Sequence, residues 1–219
     1  MKALIFDSSS IISLALNDLL YILKPLKKIF GGEFFITENV KYELIDRSLQ
    51  IKKFKLEALV IQSLINEGVL RIQKNKFIDK ETKKLLNIAN NTFKADGESI
   101  KIIHEGEASC LALYSYLPTN KKAIVVDERT TRMLCESPEN LHKLFESKLH
   151  RKINAFEINF NFFKRFKIIR SSELAYIAYK KGIIALPARS HEAIEAILYA
   201  LKYKGCAISH DEIHEARNL

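Results

Sequence analysis

The chain has 219 residues, 47% hydrophobic and 28% charged, enough to bury a core without staples. Seven glycines and four prolines exclude collagen-like and low-complexity architectures. Lys and Arg outnumber Asp and Glu by 35 to 26, a formal +9, which fits a polyanionic partner, nucleic acid before anionic membrane, or else a solubilising surface.

In chain order, Ala3 to Phe6 is a short apolar run ending in Asp7 and three serines, the pattern of a buried parallel strand followed by helix caps. Apolar spacing from Ile11 to Leu20 predicts a helix. Phe34 to Ile36 reads as a strand, and Thr37 caps a helix through Val40, Glu43 and Leu44. Lys55 to Glu67 is helical by its Leu56, Leu59, Val60, Leu64 spacing and stops at Gly68. Val69 to Ile72 predicts a strand, and Lys80 to Ala95 a polar helix or loop. Gly106 to Tyr116 is a helix with Ala108, Leu111, Ala112 and Ser115 on one face. Ala123 to Val126 is the clearest strand and runs straight into Asp127. Glu128 to Leu149 reads as helical with a break at Pro138, and Phe166 to Ile169 as a last strand. Helices over Ser172–Lys181 and Ser190–Lys204 end at Gly182 and Gly205. Strands alternating with helices predict a three-layer α/β/α fold around a mainly parallel sheet.

Three scattered cysteines, Cys110, Cys135 and Cys206, form no CxxC pair, which excludes a zinc ribbon and a disulfide framework. No apolar run reaches the ~20 residues of a membrane helix. The opening residues meet an acid too early for a signal-peptide core. The expectation is a cytoplasmic protein without membrane association.

The acids carry the chemistry. Ligand sites of parallel sheets lie beyond the carboxyl ends of the strands, where this reading places Asp7 and Asp127. Glu43 and Glu107 lie on helices, with Glu105 just before Glu107. Each has an ordinary explanation: Asp7 and Asp127 as helix caps, Glu105 and Glu107 as complements of a helix dipole, Glu43 as part of a solvated face. Together they make a cluster that cannot fully ionise without a compensating cation. Oxygen ligands select Mg²⁺ or Mn²⁺, and such an ion in a basic protein points to phosphodiester chemistry.

Four segments also resemble, in order, the motifs of PIN-domain nucleases. Asp7-Ser8-Ser9-Ser10-Ile11-Ile12 is similar to the family's opening, and Thr37 through Leu44 to its second motif, whose Glu follows a Val by three residues. Glu105-Gly106-Glu107-Ala108 with the apolar helix after it resembles the third, and Ala123 through Arg129 the fourth. The resemblance covers residues 2–130 and continues more weakly through Lys167–Ser172, Ala178–Ile184 and Lys204–Ser209, which are similar to the tail of a prokaryotic subfamily. It implies a PIN-like core over 1–134, a basic and aromatic helical insertion over 135–165, and a last strand with C-terminal helices over 166–219. It further implies a metal-dependent endoribonuclease. Asp7, Glu43, Glu107 and Asp127 would hold Mg²⁺ or Mn²⁺ and activate a water, with Glu105 as an additional or outer acid and Ser9 hydrogen-bonded to a ligand carboxylate. Glu107 stands where many relatives have Asp. The implied partners are RNA, an antitoxin or other protein, and a second copy of the chain; the toxin of a toxin–antitoxin pair is one such role.

The positive charge is concentrated in residues 151–181, with eight Lys and Arg against two acids. Arg151, Lys152, Lys164, Arg165 and Lys167, interleaved with Phe156, Phe160, Phe162, Phe163 and Phe166, are candidate nucleic-acid contacts beside the acidic cluster. The aromatics fit a core-facing stripe better than a base-stacking platform. Lys74, Lys76, Lys80, Lys83 and Lys84 read as a solvated face. His210 and His214, four apart, have zinc-site spacing, but Asp211 replaces the Glu of the metalloprotease pattern, and a solvated helix explains them better. Two rival readings stand. One is a catalytically weak PIN module that binds RNA or a protein in RNA processing. The other is an unrelated doubly wound α/β enzyme whose acids are helix caps, though no Gly-rich phosphate loop or Gly-x-Ser-x-Gly is present.

Overall fold

The computed structural model describes residues 1–186 and 191–217. Five strands form a sheet in the order β3-β2-β1-β6-β8, with β1 Ala3–Phe6, β2 Glu33–Thr37, β3 Arg71–Gln73, β6 Lys122–Val125 and β8 Ile168–Ile169. All four pairings are parallel; Ala3 lies opposite both Glu33 and Lys122. Helices cover both faces, so the three central strands are apolar over most of their length: Ala3, Ile5, Phe6, Phe34, Ile36, Ile124 and Val125 are all buried. The architecture is the expected three-layer α/β/α fold. Among the described residues no single helix is long and apolar enough to cross a membrane.

The helices are α1 Ser8–Ala15, α2 Leu23–Phe30, α3 Glu38–Lys41, α4 Lys55–Asn66, α5 Lys76–Asn90, α6 Glu105–Tyr116, α7 Arg129–Glu136, α8 Pro138–Leu149, α9 Phe160–Phe163, α10 Ser171–Lys180, α11 His191–Tyr203 and α12 His210–Arg217. The first helix stops at Ala15 rather than Leu20. Asp18 takes the left-handed conformation at φ 55°, which turns the chain so that Leu19 and Leu20 are buried from a new direction. Helix α2 then ends at Gly31, whose φ of 62° and N–H bond to the Lys27 carbonyl close the last turn. The predicted start of the next-to-last helix at Ser190 lies outside the described residues.

Helix α2 and a small second sheet have no counterpart in the sequence reading. Phe93–Ala95 (β4), Glu98–Ser99 (β5) and Asn154–Ala155 (β7) form a small antiparallel sheet in the order β5-β4-β7. Through β7 the stretch 135–165 pairs directly with the segment after α5. Phe93 centres the packing there, with ring centroids 5.4 to 5.8 Å from Phe145, His142 and Phe160. Of the aromatics near the basic stretch, Phe160, Phe163 and Phe166 are buried, while Phe156 and Phe162 are exposed. The expected core-facing stripe is therefore present, formed by three of the five rings.

Candidate active site

The strand order reverses between β1 and β6: the chain builds β1, β2 and β3 to one side, then returns to the other side of β1 for β6 and β8. The crevice beyond the carboxyl ends of β1 and β6 is therefore the switch point, where ligands of open parallel sheets bind. Asp7 directly follows β1 and Asp127 lies two residues past β6.

Asp7 is 1% exposed and caps α1, its Oδ2 accepting from the Ser9 N–H at 3.0 Å and the Ser9 hydroxyl at 2.6 Å. Its Oδ1 is buried with no hydrogen-bond partner among the described residues. Such an atom in an apolar setting costs roughly 1–3 kcal/mol unless something fills its lone pairs. Burial, with Glu107 close by, pushes the Asp7 carboxyl up to about 7.

Glu43 approaches from the second strand's side. The predicted helix after Thr37 is not α-helical to its end; it widens into a π-helical turn over Tyr42–Arg47 that carries Glu43. Such turns recur at functional sites. Its Oε2 accepts from the Ser8 hydroxyl at 2.6 Å. Helix α6 admits it because Gly106 has no side chain: a Cβ there would lie 2.8 Å from Glu43 Oε1. Glu107, in the first turn of α6, accepts from the His104 N–H at 3.0 Å. Burial raises the pKa of both glutamates, with Asp7 adding to the effect on Glu43 and Glu43 to that on Glu107. His104 acts the other way on both. The three acids form one electrostatic unit in which each charge opposes another.

Asp127 is fully buried and joined to this unit through Ser9, whose hydroxyl accepts from the Asp127 N–H at 3.0 Å while donating to Asp7. Ser9 thus bridges Asp7 and Asp127. Both carboxylate oxygens of Asp127 are engaged by Ser171: Oδ1 accepts from its N–H at 2.8 Å and Oδ2 from its hydroxyl at 2.5 Å. That geometry secures the first turn of α10. Glu105 is exposed and receives only a long 3.4 Å bond from Asn39; helix phase turns Glu107 inward and Glu105 outward. Among the described residues no three His, Cys, Asp or Glu are gathered closely enough to enclose an ion as they stand. The sequence reading missed Ser8, Gly106, His104 and Ser171. Only the serine directly beside Asp7 and the glycine beside Glu107 carried a signal, as small residues adjoining acids.

Arg165 and Lys167 lie at the edge of the sheet away from the acids. Lys167 immediately precedes β8, and its carbonyl accepts from the Ile124 N–H at 2.9 Å. Because β8 runs parallel to β6, residues before it sit at the amino edge, opposite the acids. Arg165 lies there too, its Nη2 donating to Ser115 Oγ near the end of α6 at 3.1 Å. Arg151 pairs with Asp96 at 2.6 Å, Lys164 with Glu139 at 3.0 Å, and Lys152 is exposed. Lys74, Lys76, Lys80, Lys83 and Lys84 are all exposed. His210 is exposed and lies 3.1 Å from the Tyr199 hydroxyl, and His214 is exposed. Comparison with protein-family models, curated proteins and solved structures gave no match.

Proposed function

We propose that the chain is a PIN-like, divalent-metal-dependent nuclease acting on RNA. The observation that carries this reading is the unpartnered Oδ1 of Asp7, buried at the switch point among two further acids that repel it. A hard cation satisfies that oxygen and removes the repulsion at once. The donor set is all oxygen, which fits Mg²⁺ or Mn²⁺ better than zinc. Asp7, Glu43 and Glu107 would hold the ion, which when bound supplies charge neutralisation for a phosphate and a more acidic water. Glu43, which accepts from the Ser8 hydroxyl, and Glu107, which accepts from the His104 N–H, each keep further lone pairs that would be offered to the ion. Asp127 serves mainly as a positioning residue, fixing Ser9 and thereby Asp7. The overall +9 supports a nucleic-acid substrate. An antitoxin or other partner, and a second copy of the chain, belong to the same proposal.

The binding-module reading is favoured by one observation, the engagement of both Asp127 oxygens by Ser171, which leaves three acids rather than four. A Mn²⁺ titration with cleavage of a single-stranded RNA pool separates the two. Binding and cleavage in the wild type, both lost in Asp7→Asn, support the nuclease. Binding without cleavage supports the module, and no binding removes the metal site.

A further inference from the structure

We propose that the cleft at the amino edge of β6 and β8 binds a phosphate group, carried by a nucleic-acid backbone or by a free nucleotide. The cleft measures about 380 Å³ and is lined by Tyr114, Ser115, Asn120, Lys122, Arg165 and Lys167. Three cations, a hydroxyl and an amide thus face one space, large enough for a nucleotide-sized ligand. It is a separate place from the acidic crevice. Lys122 pairs with Ala3, four residues below Asp7, or about 13 Å along the strand at ~3.3 Å per residue.

The cations are held for an anion rather than for each other. Lys122 donates to the Tyr114 and Leu117 carbonyls, both at 2.6 Å, and its ammonium lies 4.5 Å from the Tyr114 ring centroid. It therefore neutralises the carbonyl end of α6, where the helix dipole would otherwise repel an anion. One of its three N–H donors remains. The Arg165 guanidinium carbon lies over the Phe166 ring, 4.9 Å from its centroid, with Ser115 fixing one nitrogen. The guanidinium presents a planar fork suited to phosphate. The Lys167 ammonium has no partner among the described residues. One acid opposes them: Glu81 lies 3.8 Å from Arg165 but also 3.6 Å from Lys84, so it does not cancel the local excess. Burial, and after it the nearby Arg165, lowers the pKa of Lys122. Like charges kept together in this way are relieved by a bound anion.

This goes beyond the nuclease reading and stands without it, since it needs no metal. The test is isothermal titration of the full chain in EDTA at low salt, with inorganic phosphate, 5′-AMP and a twelve-nucleotide oligouridylate as separate probes. At least one probe is expected to saturate one site per chain. Arg165→Gln with Lys167→Gln weakens that binding about tenfold or more, as loss of charged hydrogen bonds requires, while Lys164→Gln does not. Both replaced residues are exposed, and an unchanged melting temperature checks the fold. Saturation by phosphate or AMP identifies a free-nucleotide site. Saturation by the oligonucleotide alone identifies the backbone, and its salt slope then falls by about 0.7 per lost contact. No saturable binding, or binding equal in the double variant, overturns the proposal. Cleavage with Mn²⁺ is measured separately, so either reading can fail alone.

Discussion

Replacing Asp7 by Asn isolates the electrostatic cost of the crevice. In the fold its carboxyl ionises near 7 rather than 3.8. At ~1.4 kcal/mol per tenfold change in ionisation, carrying that charge costs the folded protein about 4 kcal/mol. The stability associated with the neutral carboxyl is present below the unfolded value near 4 and is lost as pH rises through 7. An asparagine keeps the acceptor for Ser9 but puts an unpaired amide where Oδ1 now lies, a penalty of roughly 1–3 kcal/mol. At pH 8 in EDTA the variant is therefore more stable than the wild type by about 1–3 kcal/mol, or roughly 2–10 °C for a chain of this size. At pH 3 the order reverses, because Asp7 is then protonated in both the folded and the unfolded wild type and only the amide penalty remains. Mn²⁺ closes the gap at pH 8: a ligand at a hundred times its dissociation constant contributes about 2.7 kcal/mol to the wild type and little to the variant. Thermal melts followed by circular dichroism at the two pH values, with and without Mn²⁺, read all of this. A gap independent of pH, or an equal Mn²⁺ effect on both proteins, refutes the reasoning.

Gly106→Ala places a methyl 2.8 Å from Glu43 Oε1; the carboxylate yields, so Mn²⁺ affinity by calorimetry falls while stability stays within about 1 kcal/mol, helix propensity favouring Ala. Ser171→Ala removes one of the two hydrogen bonds that engage the Asp127 carboxylate and lowers stability by roughly 1.5–3 kcal/mol, seen as a reduced urea midpoint with unchanged slope. Ser9→Ala breaks the bridge between Asp7 and Asp127 and, by removing a bond that favours the charged form, raises the Asp7 ionisation further. The Mn²⁺ binding profile then shifts to higher pH. Phe93→Ala empties the centre of the small sheet's aromatic packing and lowers the unfolding free energy by about 3–5 kcal/mol in denaturant titration.

The parallel sheet was legible because its central strands are buried and read as short apolar runs, with an acid following two of them. Asp7 stood out for that reason. Glu43 and Glu107 were legible as members of one cluster, but not the way they meet: the π-helical turn that aims Glu43 has no sequence period of its own, and the gap that receives it is a single glycine. The choice between Glu105 and Glu107 rests on helix phase, which an uncertain helix start leaves open. Strands of two and three residues such as β4, β5 and β7 are too short for alternation to appear. Arg165 and Lys167 mislead for a different reason: position along the chain says nothing about which edge of a sheet the next strand enters from.

Helix α6 begins at the acids and ends at the cations. Its positive end meets Glu107 and its negative end meets Lys122, so charges at both termini favour its dipole. Twelve residues at 1.5 Å each make it a strut about 18 Å long. A rigid rod of that length works as a ruler: a polyanion held at one end presents to the other only the phosphate that lies one helix length further along its contour.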